Sequence, residues 1–228
     1  MAISKNPTRK ELLKQPDEFI TTFGKLVRFA RAYQHQITAA LGLVIVIVLA
    51  LAGWRYWLQK TETKALGLLD QAIGTYQSQI KAKGPVEARQ AVEKQFDTLI
   101  QDYTATAGGK LARLVYADVC YAAGDAVRAA ELYGQALAGF RNQPFFENLL
   151  RAGMGHARFK QTDWGSATAL FEKALATPAF ADEALFHLGL IYGLQGDNEK
   201  SRGCFNRLIT EHPTSIYAPI AREKAAQG

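Results

Sequence analysis

Cysteine is scarce in this chain: 228 residues contain two, Cys120 and Cys204, and no CxxC pair. Such usage excludes a disulfide framework. The expectation is two buried thiols acting as small apolar fillers, with a single bridge between them as the alternative in an oxidising compartment. Alternation of apolar and polar residues at strand spacing is absent over any useful length, which makes the class all-α. Catalytic constellations are also missing. Gly108-Gly109-Lys110 lacks the spacing and the preceding strand of a phosphate-binding loop, so it reads as part of a loop over Thr104 to Gly109. Gly153-Met154-Gly155 falls inside a helical pattern, where close packing wants small residues. None of His35, His156, His187 and His212 stands at a spacing from a second ligand type that reads as a zinc motif. The expectation is therefore no enzyme, no cofactor, no metal and no small-molecule substrate.

Charge is absent from another place. From Ile37 to Trp54 no side chain is ionised, and the apolar run continues to Leu58 as ITAALGLVIVIVLALAGWRYWL. About 20 helical residues cover a ~30 Å hydrocarbon core. The run predicts a transmembrane helix over 37–58, surrounded by lipid. A buried core helix would not stay apolar on every side for so long. Trp54, Arg55, Tyr56 and Trp57 close the run with two indoles, a phenol and a cation, the side chains that anchor in a headgroup region. Ala50-Leu51-Ala52 resembles a signal cleavage site, but 36 residues precede the run, far more than the short basic start of a signal peptide. The helix is expected to be retained.

The net charge of +6 is unevenly placed. Residues 1–36 hold seven Lys and Arg against three acids, and the charges beyond the span nearly balance. This is a juxtamembrane bias and not the footprint of a nucleic-acid-binding domain. By the positive-inside rule it places the N-terminus in the cytoplasm and the C-terminal domain across the membrane. Within 1–36, residues 1–15 are polar and basic, and Pro16-Asp17-Glu18 opens a helix. Phe19, Phe23, Leu26, Ala30 and Tyr33 then recur at helical spacing opposite Lys25, Arg28 and Arg31, a basic amphipathic helix suited to lipid or to a membrane partner.

Beyond the span the pattern stays helical. Thr61 to Ile80 carries Leu66, Leu69, Ile73 and Tyr76 on one stripe, and Gly84-Pro85 breaks it. Val86 to Tyr103 turns Ala88, Val92, Phe96, Leu99 and Ile100 inward. Residues 59–109 thus form a degenerate helical hairpin. Over 110–215 a repeat emerges. The turns Gly124-Asp125, Thr162-Asp163 and Gly196-Asp197 each precede a small residue and an aromatic four apart: Ala129 and Tyr133, Ala167 and Phe171, Ser201 and Phe205. Recurrence in step with the repeat assigns these aspartates to helix capping. Three tetratricopeptide-like units result, the third fitting best with Leu188, Gly189, Tyr192, Gly196, Phe205 and Pro213. Residues 216–228 supply a terminal capping helix. In such a stack the first helix of each unit lines a groove, and register nominates Leu114, Asp118 and Tyr121, then Ala152, His156 and Phe159, then Phe186 and Leu190. With only Lys160 nearby, that surface suits a hydrophobic or amphipathic segment better than a carboxylate terminus.

A basic N-terminal segment, one span ending in GWRYW at Gly53 to Trp57, and tetratricopeptide-like hairpins resemble the YfgM-like family, the ancillary subunits of the SecYEG translocon. The resemblance covers the topology of the chain and is sharpest around the span. It implies a single-pass protein of the bacterial inner membrane. Its periplasmic repeats would bind translocon subunits, a membrane-anchored chaperone or a secretory client. The other reading is a scaffold subunit of a different envelope assembly.

Overall fold

The computed structural model describes residues 18–227. Residues 1–17, with the expected helix start at Pro16-Asp17, lie outside the described residues, as do the side chains of Phe19, Phe23 and Ala30. Among the described residues every regular element is helical. The chain divides into two compact units at Leu58 and Gln59.

The first unit holds α1, Glu18–Ala32, and the beginning of α2, Gln34–Lys83. Leu26 on α1 is exposed, as are Phe29 and, just past the helix end, Tyr33, whose rings lie 4.7 Å apart. The most apolar stretch of α2 has none of its residues buried, and α2 is the one helix among the described residues long and apolar enough to cross a membrane. The span and the helical stretch from Thr61 form one continuous helix. Residues 59–64 contain no glycine or proline, so nothing stops the backbone hydrogen bonding until Gly84, at φ 92°, ahead of Pro85.

The second unit is a series of antiparallel helices: the C-terminal part of α2, then α3 Pro85–Asp102, α4 Ala107–Ala122, α5 Ala126–Leu137, α6 Pro144–Lys160, α7 Trp164–Ala174, α8 Pro178–Leu194, α9 Asn198–Glu211 and α10 Ala218–Gln227. A short 3-10 turn, Ala138–Phe140, follows α5. From α3 onward each helix packs on the next, α4 also touches α6, and α6 also touches α8.

On the C-terminal part of α2 the buried stripe is Ala65, Leu69 and Ala72, while Leu66 is exposed. The small residues set that face because α4 comes close: a Cβ on Gly108 would stand 2.8 Å from Ala65. The glycine pair expected in a loop accordingly lies in the first turn of α4. There the Glu62 carboxylate accepts from the backbone N–H groups of Ala107 at 2.9 Å and Gly108 at 3.0 Å, and Thr106 Oγ1 accepts from Gly109 N–H. A carboxylate supplied by another helix thus satisfies two of the donors a helix start leaves open, at the positive end of its dipole. On α3, Ala88, Val92, Phe96 and Leu99 are buried as expected, and the Phe96 ring stacks on Tyr116 at 4.9 Å.

The three hairpins α4–α5, α6–α7 and α8–α9 share one turn chemistry. Asp125, Asp163 and Asp197 each accept from the backbone N–H three residues on, from Arg128, Ser166 and Lys200. The residue before each aspartate has positive φ: Gly124, Thr162 and Gly196. Packing repeats as well. A Cβ on Gly155 would lie 2.9 Å from the Phe171 ring, one on Gly189 2.6 Å from Phe205, and one on Gly153 2.7 Å from Tyr133. Cys120 is buried, Cys204 is half-buried, and both are free thiols. Helix α10 covers the last hairpin by burying Ala218 and Ala221 against Leu185, Phe186, Phe205 and Leu208.

Substituting Gly189→Ala is expected to cost about 1–3 kcal/mol by overpacking against Phe205. Gly203→Ala, on an exposed face of α9 with nothing within 4 Å, should instead stabilise by about 0.5–1 kcal/mol. Urea unfolding of the two variants checks the pair. By the same assay Glu62→Ala should lose about 1–3 kcal/mol, the range for hydrogen bonds to a charged group.

Candidate interaction groove

The seven nominated groove residues divide when placed on the helices. Leu114, on α4, is half-buried against the first core cluster. Asp118, one turn on, is exposed at the residue level, and its carboxylate accepts a hydrogen bond from the Tyr133 hydroxyl. Desolvation by the surrounding protein raises the Asp118 pKa, and the Tyr133 hydrogen bond only partly offsets it. Leu190 is half-buried on α8. Phe186 is 8% exposed, and its ring stacks on Tyr217 at 4.8 Å. It therefore belongs to the core between α8 and the capping helix and does not line a groove. The expectation for it is corrected.

Tyr121, His156 and Phe159 do converge. The Tyr121 and His156 rings are 6.4 Å apart, and the Lys160 ammonium stands 5.0 Å above the Tyr121 ring. Phe159 meets Trp164 edge-on at 5.1 Å. What joins them is His187, which the sequence reading had set aside. Its ring centre is 4.4 Å from His156, 5.8 Å from Phe159 and 5.0 Å from Phe171, on which it stacks. Glu183, one turn before His187 on α8, meets the His156 Nε2 at 2.7 Å through Oε1. The Tyr217 hydroxyl donates to the same carboxylate oxygen at 3.5 Å. Glu183 and His187 are four apart, a spacing visible in the sequence; their partner His156 stands on the first helix of the preceding hairpin.

The electrostatics follow from burial and contact. His187 is pushed down to about 4, first by desolvation and then by the nearby His156 charge, so the ring is neutral at physiological pH. Glu183 is held below the usual carboxylate range, chiefly by its hydrogen bond with His156. His187 Nδ1 is buried and finds no hydrogen-bond partner among the described residues. The patch is thus an aromatic and imidazole surface across α4, α6 and α8, with one ammonium at its edge. Its chemistry is that of contact and hydrogen bonding.

Comparison with known proteins agrees with this architecture. The model of the tetratricopeptide repeat-like domain matches residues 28–224. Two crystal structures of MamA share the fold. One is 16% identical with a TM-score of 0.51 over 65% of this chain and 87% of the MamA chain. The other is 16% identical with a TM-score of 0.54 over 74% and 84%. No curated protein matches the chain.

His187→Phe keeps a flat ring against Phe171 and removes the buried, unpaired nitrogen. It is expected to raise unfolding free energy by about 1–2 kcal/mol, measured by urea titration in the presence of a chelator.

Proposed function

The chain belongs to the tetratricopeptide repeat-like domain family, whose helical hairpins generally serve protein–protein interaction, and from that premise we propose that it is a single-pass inner-membrane protein presenting its repeats to the periplasm. There it holds partner or client segments beside the Sec translocon. The observation that carries this reading is the uncharged run Ile37–Trp54 directly ahead of the repeats, with the basic excess of residues 1–36 on its other side. The family match begins at residue 28 and therefore runs through that apolar helix into the hairpins. An 18-residue run with no charge is compatible with lipid, where each ionised side chain near the centre costs about 2.5–3.5 kcal/mol. The indoles of Trp54 and Trp57, 6.0 Å apart, provide an anchor at the headgroup level.

The groove chemistry suits the role. Tyr121, His156 and Phe159 offer flat, weakly polar surfaces that accept many apolar side chains, and a single ammonium, Lys160, is too little to clamp a carboxylate. A client emerging unfolded presents such apolar segments. The same surface in a fixed scaffold would meet one partner only, so the range of partners separates the two roles.

Two measurements test the proposal. A reporter active only outside the cytoplasm, fused after Gly228, should be active, and activity only of a cytoplasmic reporter would overturn the topology. A photo-crosslinking residue at Tyr121 should capture translocon subunits and several secretory chains in intact cells. Crosslinks to one unrelated partner alone would assign the chain to another assembly.

A further inference from the structure

We propose that His156, Glu183 and His187 form a binding site for a borderline first-row divalent cation, zinc being the best fit. Each of the three offers one ligand atom, and these atoms lie within 4.8 Å of one another. Two imidazoles and a carboxylate are a donor set that zinc takes in tetrahedral sites with a fourth position left for water or another ligand. Zinc–nitrogen and zinc–oxygen bonds of about 2.0–2.2 Å place ligand atoms roughly 3.3–3.5 Å apart in a tetrahedron. His156 and Glu183 are already closer than that, at 2.7 Å, so a cation replaces their direct hydrogen bond and draws His187 in. The shift needed is on the order of 1 Å, within reach of side-chain torsions on partly exposed groups.

Three independent features support the assignment. His187 carries a buried Nδ1 that no described residue satisfies, and a metal ion or a ligand is one of the few things that resolves such an atom. Its ring centre stands 4.4 Å from that of His156, whose Nε2 already meets Glu183, so the three donors are gathered in one place. Orientation is prearranged: Phe171 stacks against His187, and the Tyr217 hydroxyl donates to the Glu183 carboxylate, the kind of outer contact that fixes a ligand. A cavity of about 560 Å³ lined by Asp182, Ser215 and Tyr217 has Glu183 in its wall.

Placement gives the site its consequence. His156 stands on α6, and Glu183 and His187 stand on α8, so a bound cation ties the first helices of two successive hairpins. His156 belongs both to this site and to the surface formed with Tyr121 and Phe159. This assignment is independent of the membrane topology and of the identity of any partner.

The test uses the full chain purified in mild detergent, stripped with a chelator, and Zn²⁺ or Co²⁺ alone as probe. Calorimetry should show one saturable Zn²⁺ per chain. The melting temperature should rise with free Zn²⁺, because an ion bound only to the folded state stabilises it by mass action. Co²⁺ should give the visible bands of a tetrahedral nitrogen and oxygen site. His156→Ala, Glu183→Gln and His187→Phe should each weaken Zn²⁺ at least about tenfold, the smallest loss reported even for outer-sphere partners. His187→Phe preserves the core stack, so its loss of binding is not a loss of folding. The proposal is overturned by the absence of saturable binding in the unaltered chain. It is equally overturned by undiminished binding in the three variants, whether or not Cys204→Ser then removes it.

Discussion

The repeat domain depends on one contact made three times: an aromatic ring from the second helix of a hairpin lying against a glycine on a first helix. Phe171 lies on Gly155, Phe205 on Gly189 and Tyr133 on Gly153. An aromatic side chain buries a large apolar area, and a glycine opposite lets it do so without pushing the helix axes apart. The contact also settles sidedness. With the rings committed to the interior, the rest of α4, α6 and α8 can carry polar and imidazole groups toward the outside of the stack. Asp118, His156 and Glu183 occupy such positions. The first hairpin departs from the others in that its ring meets the glycine of the following hairpin, which couples the two units directly.

The features legible in the sequence are those fixed by local physics. The three aspartates read as caps because a cap needs only its own helix, and they cap as expected. Helix limits in the repeats follow from turn residues a few positions away. The errors arise where a distant segment intervenes. Leu66 was assigned inward by periodicity, yet Ala65 is the buried neighbour, because Gly108 needs a small partner there. Gly108 and Gly109 read as a loop because Glu62, the carboxylate that accepts from the N–H groups of Ala107 and Gly108, stands 45 residues before Ala107. Phe186 was placed in the groove by register, but the capping helix covers it. The imidazole cluster was the largest omission. The spacing of Glu183 and His187 was readable, whereas the approach of His156 required the packing of α6 on α8.

The same helix has to satisfy two surroundings. Between Ile37 and Trp54 the side chains of α2 carry no charge on any face, and the large apolar ones are exposed in the structure. From Ala65 onward one face alone is buried, and it is built of alanines and a leucine against α4. A helix apolar all round has no preferred side and takes its partner from its solvent, whereas a helix with one small-residue stripe takes it from a neighbouring helix. The change occurs within a few residues of Trp57, where aromatic and charged side chains appear together. Glu62, the first acid after the run, is the group that reaches α4. The first polar turn after the run is therefore also the turn that fixes the position of the first hairpin.

The second hairpin, which supplies His156, departs from the other two at its turn. Thr162 holds the positive φ that Gly124 and Gly196 hold elsewhere, a conformation unfavourable for a β-branched side chain by about 1–2 kcal/mol. Arg158 stands where the third unit has Tyr192, and it pairs with Asp163 at 3.6 Å. Gln161 donates to the Ala126 carbonyl at 2.8 Å, tying this turn to the start of α5. These polar contacts hold the strained turn from outside, in place of the aromatic packing available to the third unit. The adjoining face of α6 packs through aromatic and imidazole rings against Phe171, Trp164 and His187. His156 and Phe159 occupy that face, six and three residues before Thr162. The hairpin with the strained turn is thus the one that brings these two rings to His187.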